Sequence, residues 1–245
     1  MTDVARVVAL EASCRAALPA LHEERVGGWL LRVSGGDTKR VNSANPVVAG
    51  VQPIEALAAA EALYAAHGLP CRFRLTPLAA RDADAVLADR GYQVVDRSLT
   101  MVAPLVPRPV DPALRLTPEP DSAMLARAGR LSDRTAPALA VQIRIVTAIP
   151  GAKAFALLEE ENEPIAAGYA SIGGGRAQLS DIVVAAAARG RGLGRRLVAG
   201  LLGWAQAQSC TEAMLQVLAD NEPARRLYRS LAFTDAYPYH YRVTR

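Results

Sequence analysis

The stretch "AARGRGLGRRL", residues 187–197, decides how the chain is read. It sets Gly190, Gly192 and Gly194 among Arg189, Arg191, Arg195 and Arg196. The preceding "RAQLSDIVV" (176–184) has the character of a strand. The following "RRLVAGLLGWAQAQ" (195–208) places Leu197, Val198, Leu201, Leu202 and Ala205 on one face of a helix. A strand, a tight loop and a helix starting near Leu193 together present backbone N–H groups and the positive end of a helix dipole, which suit an anion and above all a phosphate. Glycine lets the backbone approach a ligand closely and tolerates positive φ. A Walker A loop is absent, and a dinucleotide fingerprint begun at Gly190 fails because Arg195 stands where its last glycine belongs. The pattern R-x-x-G-x-G is met by Arg189, Gly192 and Gly194. The competing reading is a plain glycine turn with solvated arginines.

Outward from this loop the chain reads as two similar halves. The first has a helix over 3–18 with Asp3 available as cap, then two strands within 28–48 joined by a turn at Ser34–Asp37. A helix closed by Gly68, a strand at 71–77, a helix ending at Gly91 and a strand over 92–105 follow. Proline-rich text marks a linker at 105–115. The second half has helices over 119–132 and 137–146 and strands around a turn at Glu160–Glu163. Then come the strand–loop–helix already described, a strand at 212–218, a helix from 221 and a final strand. "AVLADRGYQVVDRSLTMV" parallels "RLYRSLAFTDAYPYHYRV". The expected architecture is α/β, an α+β mixed sheet, with domains 1–104 and 116–245 in tandem. The first is a smaller and degenerate copy that lacks the glycine loop.

Composition narrows the functions. With 245 residues, 51% hydrophobic and 21% charged, the chain is globular. No apolar run approaches the roughly 20 residues of a membrane span, and the N-terminus lacks the basic start and apolar core of a secretory signal, so a cytoplasmic location is expected. Cys14, Cys71 and Cys210 are odd in number, and they and His22, His67 and His240 are widely separated, which argues against disulfides, a catalytic metal or a Cys–His nucleophile. The net charge of +4 is carried almost entirely by arginine, and aromatics are only 5%. No base-stacking cluster accompanies the charge, so a small anionic ligand is expected rather than nucleic acid or membrane.

A second motif, "VLADNEPARRLYRSLAF" (217–233), lies about thirty residues beyond the first. Together, "DIVVAAAARGRGLGRRLVAGLL" and this segment resemble the two signatures of the GNAT superfamily of N-acyltransferases, the second carried by Val217, Asn221, Ala224, Leu227, Tyr228 and Phe233. The resemblance is clear over 115–245 and reaches 1–104 only through the internal repeat. It implies a GNAT fold and acetyl-CoA as cosubstrate, with no metal. The amides of Gly190, Arg191, Gly192, Leu193, Gly194 and Arg195 would hold the pyrophosphate, and Arg189, Arg191 and Arg195 would add charge. The strand end at Ile182, Val183 and Val184 would carry the pantetheine arm, and Asn221 would contact the ligand as well as cap its helix. The implied reaction is direct acetyl transfer, through a ternary complex, to a primary amine of a small molecule or peptide. An alternative is a noncatalytic acyl-CoA sensor. Monomer and homodimer both stay open.

By the same resemblance Tyr228 is the general acid that protonates the departing thiolate; its other reading is core packing beside Ala224, Leu227 and Leu231. Asp181 is the candidate base, or else a solvated strand carboxylate. The acids Glu159, Glu160, Glu161 and Glu163 either attract a cationic amine or are simply solvated. Ala232 departs from the family's usual glycine, and its helix is expected to end differently, since a left-handed alanine costs on the order of 1 kcal/mol. In the first half, the polar run Thr38 to Asn45 suggests that Asn42, Ser43 and Asn45 wall an acceptor pocket, or else lie on an exposed edge strand.

Overall fold

The structure is a computed structural model that describes residues 3–107, 114–132 and 134–244. The core of the expected linker, 108–113, lies outside the described residues. Helix α1 (Val4–Ala17) opens where the Asp3 carboxylate accepts the Arg6 N–H at 3.1 Å. Strands β1 (His22–Val26) and β2 (Trp29–Val33) form a hairpin that the sequence reading omits. β1 is almost wholly exposed, so "HEERV" has no apolar alternation to betray it. The connection from β2 to β3 (Ser43–Pro46) is longer than the expected turn. It is folded around Asn42, whose side chain accepts the Ser34 and Gly35 N–H groups and donates to the Gly35 and Thr38 carbonyls. Then come α2 (Leu57–Ala66), β4 (Arg72–Leu75), α3 (Ala83–Ala88) and β5 (Gln93–Pro104).

The second half comprises β6 (Leu116–Thr117), α4 (Ser122–Gly129), α5 (Ala136–Thr147), β7 (Lys153–Glu160), β8 (Glu163–Gly173) and β9 (Arg176–Val184). These are followed by α6 (Leu193–Ala207), β10 (Glu212–Leu218), α7 (Glu222–Arg229) and β11 (Thr234–Val243). All the strands described join one mixed sheet in the order β1-β2-β3-β4-β11-β5-β10-β9-β8-β7-β6. The pairs β3–β4 and β9–β10 are parallel, and the other neighbours are antiparallel. The closing strands are exchanged: β11 lies between β4 and β5, while β5 lies against β10.

Helix α6 buries Leu197, Val198, Leu201, Leu202 and Ala205, the face read from the sequence, against β7, β8 and β9. Gly168 permits this approach, because a Cβ there would fall 2.5 Å from Ile182 Cδ1 and 2.8 Å from Leu197 Cδ2. A separate core of Trp29, Tyr64, Phe73, Leu87 and Tyr92 fills the N-terminal half. Helix α1 covers the opposite face and sends the fully buried Glu11 into a polar joint. Its carboxylate pairs with Arg74 of β4 and accepts the Tyr237 hydroxyl of β11 at 2.6 Å. The Arg74 guanidinium lies 4.0 Å from the centre of the Tyr239 ring.

The ending of α7 differs from expectation. Ala232 adopts the left-handed conformation after all, at φ +71°, with the Phe233 N–H donating to the Tyr228 carbonyl at 3.1 Å. Gly91 does the same after α3, at φ +82°, with the Tyr92 N–H on the Leu87 carbonyl at 3.1 Å. Buried Leu231 and Phe233 hold the alanine in place despite its strain.

Two outcomes follow for stability. Ala232→Gly raises it by about 1 kcal/mol, a gain of ~2–4 °C in Tm for a chain of this length, read by calorimetry. Glu11→Ala strands the Arg74 guanidinium in the core and costs about 3–5 kcal/mol, read by urea unfolding.

Candidate active site

The parallel strands β9 and β10 stay together only from Arg176↔Glu212 to Gln178↔Met214 and then part. Each keeps its other neighbour beyond that point. β9 pairs with β8 to Val184↔Ala166, and β10 pairs with β5 to Leu218↔Ser98. The resulting fork opens a cleft of about 410 Å³. Its prongs are Leu179 to Ile182 and Leu215 to Leu218. Asn221, Ala224 and Tyr228 close one side, and Thr38, Lys39, Arg40 and Ser98 of the N-terminal half close the other.

The glycine loop stands at the end of the β9 prong. After a 3-10 turn at Ala186–Ala188, Gly190 and Gly192 take φ of +78° and +76°, and α6 starts at Leu193. Among the described residues, the six backbone N–H groups from Gly190 to Arg195 find no backbone acceptor. They are the unsatisfied donors of a helix start, extended by the loop. A Cβ on Gly190 or Gly192 would meet nothing within 4 Å, so these positions need glycine for φ and not for space inside the protein. Gly194 differs: a Cβ there would lie 3.1 Å from Leu227 Cδ2, so it sets the approach of α6 to α7.

The arginines of the loop have protein partners. Arg189 Nε donates to the Val184 carbonyl at 3.3 Å, Arg195 Nη1 to Ser230 Oγ at 2.6 Å, and Arg191 Nη1 to Glu160 Oε2 at 2.9 Å. The hydrogen bond from Arg191 holds the Glu160 carboxyl below the usual range. Glu159 pairs with Arg127 and Glu163 with Arg130, so much of the acidic cluster expected to draw in an amine is already neutralised.

Asp181 is at φ +51°, in a bulge where it and Ile182 oppose the single residue Gly168 of β8. The bulge turns its carboxylate toward α5. Oδ2 accepts from Gln142 Nε2 at 2.8 Å and Oδ1 from Arg134 Nη2 at 3.3 Å. Asp181 is thus an anchored group at the cleft and not a freely solvated one. Gln142, Arg134 and Arg40 belong to no motif, and only the fold brings them here. Asp181, Ile182 and Arg134 also border a second, mostly apolar pocket of about 260 Å³, lined by Met124, Leu125, Leu139, Phe155 and Tyr169.

Tyr228 is buried yet lines the cleft, edge-on to Phe233 with ring centres 5.8 Å apart. Burial pushes its phenol up to about 12. Asn221 caps α7, its Oδ1 accepting the Ala224 N–H at 3.2 Å, and also borders the cleft. Core packing and cleft lining coexist at Tyr228, as capping and cleft lining do at Asn221.

Two expectations for the first half are corrected. Asn42, Ser43 and Asn45 neither border the cleft nor lie on an exposed edge. All three are buried, β3 is an interior strand, and Asn42 spends its hydrogen bonds on its own loop. The neighbouring Thr38, Lys39 and Arg40 reach the cleft instead. Between β3 and β4 the corresponding space is closed by backbone bonds, Gly50 N–H to Leu78 O at 2.8 Å and Ala80 N–H to Val51 O at 3.0 Å. Leu87 occupies the place of Tyr228 in the repeated helix ending.

Among the described residues no group of three or more His, Cys, Asp or Glu side chains is placed to hold a metal ion, and no helix is long and apolar enough to cross a membrane. The family model described as "Probable histone acetyltransferase Rv0428c C-terminal" matches residues 4–242. The Bacillus subtilis (strain 168) protein named "Uncharacterized N-acetyltransferase YobR" is 30% identical over 254 residues, covering 100% of both chains. A GCN5-related N-acetyltransferase from Kribbella flavida superposes with a TM-score of 0.70 at 17% identity, covering 100% of this chain and 96% of that one. A tandem GNAT protein from the clavulanic acid biosynthesis pathway gives 0.59 at 15% identity, covering 82% and 74%. At those identities the two structures speak for the fold alone. With the family model and the Bacillus relative spanning nearly the whole chain, the forked sheet and glycine loop belong to a member of the GNAT superfamily, an acyltransferase of the N-acetyltransferase type.

Proposed function

We propose that the protein transfers an acetyl group from acetyl-CoA to a primary amine of a small molecule or peptide, by direct attack with both substrates bound. The observation that carries this reading is the run of six amides, Gly190 to Arg195, that among the described residues have no backbone acceptor and follow the end of a prong of the open strand fork. The residues present fit a coenzyme A: the amides suit a diphosphate, and the free inner edges of the prongs suit the amide groups of an extended arm. Ile182 lines the cleft on the β9 prong, Val183 and Val184 carry that strand on to its end, and Asn221 borders the cleft at the start of α7. Arg189 and Arg195, held by neutral oxygens, add positive charge around the loop, and Arg191 adds to it on leaving Glu160 for a phosphate.

The roles of the chain's own groups follow from their placement. As the amine nitrogen bonds to the carbonyl carbon, the C–S bond breaks and two protons must move. Tyr228, whose phenol stays protonated at neutral pH, gives its proton to the departing sulfur. Asp181, held by Arg134 and Gln142, takes the amine proton directly or through water. Residues 116–245 form the catalytic unit and residues 1–104 a degenerate, noncatalytic copy. The mirrored strand order, the matching helix endings at Gly91 and Ala232, and the closed N-terminal fork support that division.

Calorimetry with millimolar acetyl-CoA is expected to register binding, and absence of heat would sink the proposal. Gly192→Ala must hold a left-handed φ without glycine and weakens coenzyme binding about tenfold or more, read by the same titration. Tyr228→Phe leaves that affinity close to the parent's and lowers kcat by at least ~10²-fold, read as thiol release over an amine panel. Tight coenzyme binding with no acceptor-dependent thiol release would instead mark a sensor.

A further inference from the structure

Arg40 stands in the crotch of the fork. It comes from the β2–β3 connection of the N-terminal half, yet its Nη1 donates to Gln216 Oε1 at 3.1 Å and to Ser180 Oγ at 3.3 Å. Those two residues lie on opposite prongs, just past the last paired positions Gln178 and Met214. Its cationic neighbours at the cleft are neutralised. Lys39 pairs with Asp96 at 2.8 Å, and Arg134 with Asp181 at 3.3 Å and Asp37 at 3.7 Å. Arg40 rests on neutral oxygens and forms no ion pair among the described residues. The Asp181 carboxylate favours the charge of this guanidinium from a distance but is itself paired with Arg134, so no carboxylate touches Arg40 among the described residues. Its planar array of donors matches a carboxylate in a way that a point charge does not.

A second observation points the same way. Tyr169, opposite Ser180 across β8 and β9, has a buried hydroxyl beside Ser180 and near Arg40, and its side chain lines the apolar pocket next to the cleft. Tyr169 thus joins the surroundings of Arg40 to the apolar pocket.

We infer that Arg40 reads a carboxylate on one of the two substrates. The apolar pocket beyond Asp181 takes an apolar side group, so an amino acid with an apolar side chain is the acceptor class that meets both features. An acyl group ending in a carboxylate would present the same chemistry from the donor side. The inference rests on the cleft being the site of acyl transfer, and it makes Arg40 a specificity-determining residue supplied by the half without a glycine loop.

The test uses the full chain, the parent beside Arg40→Gln and Arg40→Lys, with substrates that differ only in the carboxylate. Acetyl-CoA is paired with leucine against 3-methylbutylamine and phenylalanine against 2-phenylethylamine. Propionyl-CoA against succinyl-CoA with 2-phenylethylamine tests the donor side. The parent is expected to favour the carboxylate-bearing member of one set by at least about tenfold in kcat/KM. Arg40→Gln brings that ratio to about one, and Arg40→Lys retains part of it. A parent ratio near one in every set overturns the inference. So does a ratio that survives Arg40→Gln, as it would if Arg40 merely braced the fork and both members slowed together. Coenzyme titration reads the acetyl-transfer proposal separately. Should no acceptor turn over, calorimetric titration of the same acceptor pairs reads Arg40 directly, and heats that ignore the carboxylate or survive Arg40→Gln count against it.

Discussion

Two parallel strands that part inside a sheet must each leave a row of peptide groups without a partner, and this constraint organises the molecule. Unpaired backbone groups are costly when buried, so a fork persists only if the outer edges are fully paired and the inner edges face solvent or a ligand. Here β8 secures one prong and β5 secures the other along its whole length. β5 belongs to the N-terminal half, and its own other neighbour is β11 from the C-terminus. The exchange of closing strands therefore ties the integrity of the cleft to both halves of the chain, and Glu11, Arg74 and Tyr237 fasten that exchange from the α1 side.

The same logic separates amides from arginines in the glycine loop. The arginines are conspicuous in the sequence, but each is already engaged by a carbonyl, a hydroxyl or a carboxylate, and the exposed Arg191–Glu160 pair contributes little to stability in water. The amides have no such outlet, because the left-handed glycines and the helix start direct them away from any carbonyl. Positive φ at Gly190 and Gly192 thus shapes the donor array, while Gly194 serves the packing of α7.

The two halves share a strand order and a helix ending and differ at the parallel pairs. Both end their short helices on a left-handed residue with the same closing hydrogen bond, glycine in one case and alanine in the other. At the parallel pairs they part company. Gly50, Val51, Leu78 and Ala80 zip the N-terminal gap shut, and Leu87 fills the place of Tyr228. The half with the closed gap contributes instead through its loops, sending Lys39 and Arg40 across to the neighbouring cleft.

Much of this was legible in the sequence because it is local. Periodicity and glycine spacing determined the helices, most of the strands, the bounds of β9 and α6 and the loop between them, and two motifs pointed to the family. β1 escaped because an exposed polar strand has no alternation to detect, and Asn42 because its bonding is set by a loop closure that spans the chain back to Ser34. Only the tertiary structure decided that β11 and β5 trade places, that Asp181 is bulged onto Gln142 and Arg134, and that Arg40 enters the fork. Those contacts join residues far apart in the chain, and their energies depend on burial and on edge pairing that no single segment encodes.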